Sequence, residues 1–353
     1  MKQTRHFYID HFRFIAILLV TGYHLWRMLG KPEITFYHYN MFAIFERGYF
    51  GVDLFFFISG FSLAYTTSKK NETFDNLAGY KKFVMNRFMR LAPPYYVCLL
   101  VWNILLYLGV TNKSHGVIDN ILHILFLHNL DPSTVYSISG VLWIVAPIMQ
   151  FYLIFPLLYK TALKKPLFLF VSSAAVTLII NLIIIPYFLS GTSYGKYKVI
   201  LDTSIFSYLV VFVLGILAFL YKDKILSIIN NKIIVVLFTI LIIHTTFLKV
   251  PLISNQFIDH IVTGSLFGFF MLYYSNLKLS ENNTLNLSLS KLGEYSYSIF
   301  LYNYIFMIYK SPISTGVYGW FFYFILVFSF GILMYFFVEK PLAKLTKKLT
   351  PRM

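Results

Sequence analysis

The chain has 353 residues, of which 58% are hydrophobic, 20% aromatic and only 12% charged. An average soluble domain is about 25% charged, and disordered chains are poor in aromatic and aliphatic side chains, so neither class fits. A lone cysteine, Cys98, excludes a disulfide scaffold. The 30 Lys and Arg against 14 Asp and Glu give a net charge of +16. These cations punctuate apolar runs, which indicates a polytopic helical membrane protein with the lipid bilayer, and no nucleic acid, as its partner.

A membrane-crossing helix needs roughly 20 mainly apolar residues. Ten such runs are predicted, at about 9–28, 48–67, 89–109, 140–160, 166–189, 203–221, 232–249, 256–275, 293–310 and 317–338. The expected fold is all-α: an integral membrane protein of about ten transmembrane helices. The first run carries Arg13, His24 and Arg27, and no small-residue cleavage site follows it. It reads as the first span and not as a signal peptide. An even number of spans puts both termini on one side. Assigning that side to the cytoplasm places 21 Lys and Arg there and eight outside, with Arg13 inside the first span. The positive-inside rule favours this orientation.

The longest outer segment, about 110–139, has short apolar stretches such as Ile121–Leu127 that leave room for a re-entrant or interfacial helix. Its histidines, His115, His123 and His128, lack a metal-ligand pattern and are expected on the loop surface; no metal site is indicated. Residues 1–341 read as one membrane domain and residues 342–353 as a short basic cytoplasmic tail.

Ionisable groups inside a bilayer are costly and usually mark function. In the first span Arg13 and His24 are 11 residues apart, which on a helix is three turns plus about 20°, so they share a face and lie about 16 Å apart along the axis. Asp10 is placed to pair with Arg13 at i,i+3. Taken singly, Arg13 reads as a snorkelling interfacial arginine and His24 as a satisfied polar residue near a helix end; together on one apolar helix they favour a functional role. In the second span Asp53 is expected at a depth comparable to His24, where a carboxylate would orient an imidazole for base catalysis; the plainer role is an acidic residue favoured by a helix N-terminus. Arg87 and Arg90, with Lys81 and Lys82 before them, form a basic cluster suited to phosphates, although cytoplasmic arginines also anchor topology on anionic lipid. Glu339, beside Lys340, reads as structural.

The order of these features resembles the membrane-bound acyltransferase 3 family over nearly the whole chain, from Ile9 to about Pro341. Arg13 and His24 fit its Arg, ten residues, His spacing. Gly51-Val52-Asp53-Leu54-Phe55-Phe56 with Ser59-Gly60 is similar to its second-span motif, and Arg87, Arg90 and Pro93 to its third-span start. Trp143 with Gln150-Phe151-Tyr152-Leu153-Ile154-Phe155-Pro156 resembles its fourth-span motif. Leu292-Gly293 with Ser296-Tyr297-Ser298-Ile299-Phe300-Leu301 resembles the penultimate one, and Glu339-Lys340-Pro341 the closing one. Two positions depart from the pattern: Ile148 stands where a glutamate is common, and Asn303 where a histidine is. Both are more like a branch acting on cell-surface polysaccharides in some Gram-positive bacteria.

The resemblance implies transfer of an acyl group, by default acetyl, from cytoplasmic acyl-CoA as co-substrate to a hydroxyl of a cell-surface glycan or glycan precursor, at the bacterial plasma membrane and alongside glycan-synthesis machinery. His24 would be the general base or a transient acyl carrier, Asp53 its orienting partner, and Arg13 would line the route. Arg87, Arg90 and Lys82 would hold the CoA phosphates. Trp143, Tyr297 and Asn303 would contact the substrate, although an interfacial tryptophan and polar interhelical residues also have plain structural uses. Many relatives carry a fused extracytoplasmic hydrolase-like domain. This chain ends about 12 residues after Pro341, so it is expected to finish the transfer itself or to pass the acyl group on. Two other readings are a transporter or exporter of glycan intermediates, and a non-catalytic membrane partner of a glycan synthase.

Overall fold

The computed structural model describes residues 7–37, 39–111, 116–181, 195–229, 236–237, 239–240, 256–277, 283–307 and 315–349. Most of these are helical, and the strand pairing among them is a two-residue antiparallel pair, Thr35–Phe36 with Tyr39–Asn40. The helices are α1 (Phe7–Met28), α2 (Ala43–Glu46), α3 (Gly51–Lys70), α4 (Leu77–Tyr107), α5 (Val117–Ile124), α6 (Val145–Lys164), α7 (Pro166–Leu178) and α8 (Gly195–Asp202). They continue with α9 (Ile205–Leu220), α10 (Lys222–Ile229), α11 (Gln256–Ser275), α12 (Thr284–Glu294), α13 (Ser296–Tyr302), α14 (Gly316–Met334) and α15 (Lys340–Leu349).

Among the described residues, five helical stretches are long and apolar enough to cross a membrane: Gly48–Lys70, Leu77–Tyr107, Leu142–Lys164, Lys198–Leu220 and Gly316–Lys348. Each overlaps one of the predicted runs. Helices α1 and α11 have the length, 22 and 20 residues, with more polar sequences. The third run starts earlier than expected, at Leu77, because the Asn76 side chain accepts a hydrogen bond from Gly79 N at 2.8 Å and caps the helix there. The run at 293–310 is interrupted at Tyr295 between α12 and α13, and it ends outside the described residues, as does the run at 166–189. The run at 232–249 lies almost wholly outside them, and so does His115. Most of the basic tail is helical, in α15.

The chain divides into two compact units. The first holds residues 1–65, 210–297 and 311–326. Here α1 packs against α2, the turn Gly48–Phe50 that leads into α3, α11 and α12. Backbones approach closely in this unit: a side chain at Gly60 would strike the Phe212 carbonyl, and one at Gly215 the Phe57 carbonyl, so α3 and α9 touch through glycines. Membrane helices associate through such small-residue contacts.

The second unit holds residues 66–209, 298–310 and 327–353. In it α4 packs on α6 and α15, and α6 on α7. The fourth-span Gln150 and Asn129 form an amide pair, Gln150 Nε2 donating to Asn129 Oδ1 at 2.8 Å, with Asn129 Nδ2 in turn 3.3 Å from the Thr203 carbonyl. The placement of His123 and His128 on the loop surface is corrected: both are fully buried. Their rings stack at 3.9 Å, and each bonds to backbone, His123 Nδ1 to the Asp119 carbonyl at 2.9 Å and His128 Nε2 to the Leu142 carbonyl at 3.2 Å. The reason is an inside-out helix. In α5 it is Val117, Ile118, Ile121 and Ile124 that face outward, while His123 faces in. Such a helix suits lipid contact, as expected of an interfacial segment. Burial, and secondarily the neighbouring His123, push the His128 imidazole down to about 3.

Candidate active site

In the first unit α1 carries the Arg13 group. Arg13 Nη1 lies 3.3 Å from Asp10 Oδ1, the expected i,i+3 pair, and Nη2 donates to Ser62 Oγ of α3 at 3.2 Å. Asp10 Oδ2 accepts from Ser290 Oγ of α12 at 2.9 Å. Gly293 lets α12 come against the Asp10 backbone, since any side chain there would strike its carbonyl. The guanidinium is thus fixed from two helices and remains part-buried. His24, further along α1, is half-buried, with its ring 5.5 Å from Tyr23.

Asp53 is 1% exposed. Its expected partner was His24; its carboxylate is instead held by α11, an element the motifs did not point to. His260 Nδ1 donates to Oδ1 at 2.8 Å, and Thr263 Oγ1, one turn along α11, donates to Oδ2 at 3.2 Å. The physical reason is register. Gly51 rests on Ala16, Leu19 and Val20 of α1, so in this antiparallel pair Asp53 is level with about Ala16. His24 lies eight residues beyond Ala16, about 12 Å along the axis. The carboxylate fixes Nδ1 of His260 as the protonated nitrogen, so Nε2 carries the lone pair of the neutral ring. A weak sequence signal for this pair exists: His260 and Thr263 are polar, three apart and near the start of an otherwise apolar run.

Tyr297, at the start of α13, is half-buried in this same unit.

In the second unit the basic cluster separates into two kinds of residue. Arg87 is buried, with Nη1 and Nη2 on the Glu72 carboxylate at 2.9 and 3.0 Å. Nη2 also reaches Thr66 Oγ1 at 3.2 Å, and the guanidinium lies 4.2 Å from the Phe83 ring centroid. Two of the three guanidinium nitrogens of Arg87 are thus committed within the protein, in a bidentate ion pair with Glu72. Arg90 and Lys82 are exposed on the same helix.

Trp143 is half-buried, its ring 5.9 Å from that of Tyr208. Asn303 is 0% exposed, and neither amide atom finds a hydrogen-bond partner among the described residues. Such a buried amide is rare in a packed interior. Glu339 ends a π-helical turn, Tyr335–Glu339, and accepts from Ser298 Oγ at 2.5 Å. The penultimate and closing motifs are thereby joined. Among the described residues no group of three His, Cys, Asp or Glu is placed to hold a metal ion.

A family model described as an acyltransferase domain matches residues 6–341. No curated protein and no solved structure matches the chain. Covering nearly the whole sequence, the match shows that the chain belongs to the acyltransferase 3 family.

Proposed function

We propose that this membrane acyltransferase moves an acetyl group from cytoplasmic acetyl-CoA to a hydroxyl of a cell-surface carbohydrate, in the plasma membrane of a bacterium. The family supports an acyltransferase. The observation that carries the finer reading is α1 itself: one helix holds Arg13, fixed by Asp10 and Ser62, and His24.

In this reading the exposed cations Arg90 and Lys82 meet the CoA phosphates, where charge-assisted bonds are strongest. Arg13 steadies the donor along its route. His24 takes the proton of the acceptor hydroxyl as its oxygen attacks the thioester carbonyl. The C–S bond then breaks, the new C–O ester forms, and the CoA thiolate takes up a proton. Tyr297, in the same unit as His24, supplies a hydrogen bond to substrate.

The test is thioester turnover by detergent-purified protein given acetyl-CoA with a crude cell-envelope glycan extract. Glycan-stimulated CoA release is expected from the wild type. A His24→Ala protein that inserts normally should lose it by at least about 100-fold, the range of a general base. Undiminished release from His24→Ala would end that assignment. An exporter would show no release in detergent at all.

A further inference from the structure

The Asp53 carboxylate, buried and bonded to both His260 and Thr263, sets a second histidine in the same unit as His24. Carboxylate, imidazole and hydroxyl in this arrangement hold a ring in one tautomer and one orientation, and the carboxylate balances the charge of the imidazolium formed during a catalytic cycle. A buried aspartate used only to join two helices needs no imidazole as partner.

Helix direction says where the ring leans. Asp53 meets His260, and Phe57 of α3 lies against Gly268 of α11, so α3 and α11 run parallel. Tyr274, at the far end of α11, bonds His11 near the start of α1 at 3.0 Å, so α11 runs opposite to α1. Side chains tilt toward the N-terminus of their own helix. His24 therefore tilts down α1 toward the level of Asp53, and His260 tilts up α11 toward the level of His24. The axial gap of about 12 Å between those levels is thus narrowed from both sides.

We propose that His260 is the second proton-handling catalytic residue of the transfer, oriented by Asp53 and Thr263. Protonated His260 gives its Nε2 proton to the departing CoA sulfur as the C–S bond breaks, while His24 takes the proton of the acceptor hydroxyl as the C–O bond forms. The products are the ester and CoA thiol; His24 is left protonated and His260 neutral, and a proton passing from the first to the second resets the pair. The inference rests on the acyltransferase reading above.

His260→Gln removes the acid and keeps a polar side chain of similar size; His260→Ala is the companion that removes the side chain altogether. Both are compared with wild type, Asp53→Asn, His24→Ala and the Asp53→Asn/His260→Gln double variant, in detergent, with acetyl-CoA and the glycan extract, across pH and alongside thermal midpoints. The expected result is a loss in kcat of about 100-fold or more for His260→Gln, with KM for acetyl-CoA and the thermal midpoint little changed. The alkaline limb of the pH profile should disappear, and the double variant should lose no more than the worse single one. Wild-type rates in His260→Gln, or a loss with the alkaline limb intact, would overturn the assignment of His260 while leaving that of His24 standing. Absence of CoA release from the wild type would overturn the acyltransferase reading and the inference together.

Discussion

Arg87 and Arg90 stand one turn apart on α4 and differ in what surrounds them. Arg87 is buried in a bidentate pair with Glu72, and removing one partner of such a pair leaves a buried charge unmatched, at about 3–5 kcal/mol. Arg87→Ala and Glu72→Ala should therefore lower the thermal midpoint in detergent substantially. Arg90→Ala, on the exposed side, should leave the midpoint near wild type and raise KM for acetyl-CoA several-fold. An Arg87→Ala protein as stable as wild type would return that residue to the phosphate site. Sequence spacing put both arginines on one face but could not show this division, because Glu72 lies before α4 in a separate turn. Asp10 and Arg13 were legible, since an i,i+3 pair needs only one helix. His260 was not: 207 residues separate it from Asp53, and one imidazole in an apolar run has no period to announce it.

Among the elements, α5 inverts the usual rule that a short helix hides its apolar side. Its isoleucines face out and His123 faces in, stacked on His128. A reading of polar residues as loop surface fails wherever the surroundings are lipid, because outward and apolar then coincide. The buried pair has a consequence for acid stability. His128 binds a proton at about 3 in the folded protein against an ordinary value of 6.5. Between these values the unfolded chain binds more protons than the folded one, so stability is whole above about pH 6.5 and falls as the pH drops below it, by up to about 1.4 kcal/mol per pH unit. The thermal midpoint of wild type should fall between pH 7 and pH 5, and His128→Asn should flatten that slope whatever its midpoint at pH 7. An unchanged slope would contradict the buried neutral imidazole.

For the whole molecule, the first unit carries a record of chain direction. The α1 start lies by the middle of α3 and the ends of α9 and α11, through Tyr8 with Phe61, Phe61 with Phe219, and His11 with Tyr274. The α1 end lies by the start of α14, where Trp320 Nε1 donates to the Gly22 carbonyl at 3.2 Å. These four partners fall in the second, sixth, eighth and tenth predicted runs. The hydropathy runs could not reveal the early start of α4 or the interruption at Tyr295. Alternation with cations crowding one face is what the central claim needs: donor used from one side, acceptor esterified on the other. The most direct measurement seals the protein in vesicles, with isotope-labelled acetyl-CoA confined to the face bearing the C-terminal tail and the glycan extract confined to the opposite face. The account predicts labelled ester on the glycan, lost in His24→Ala. Label appearing only when donor and acceptor share a face would contradict it.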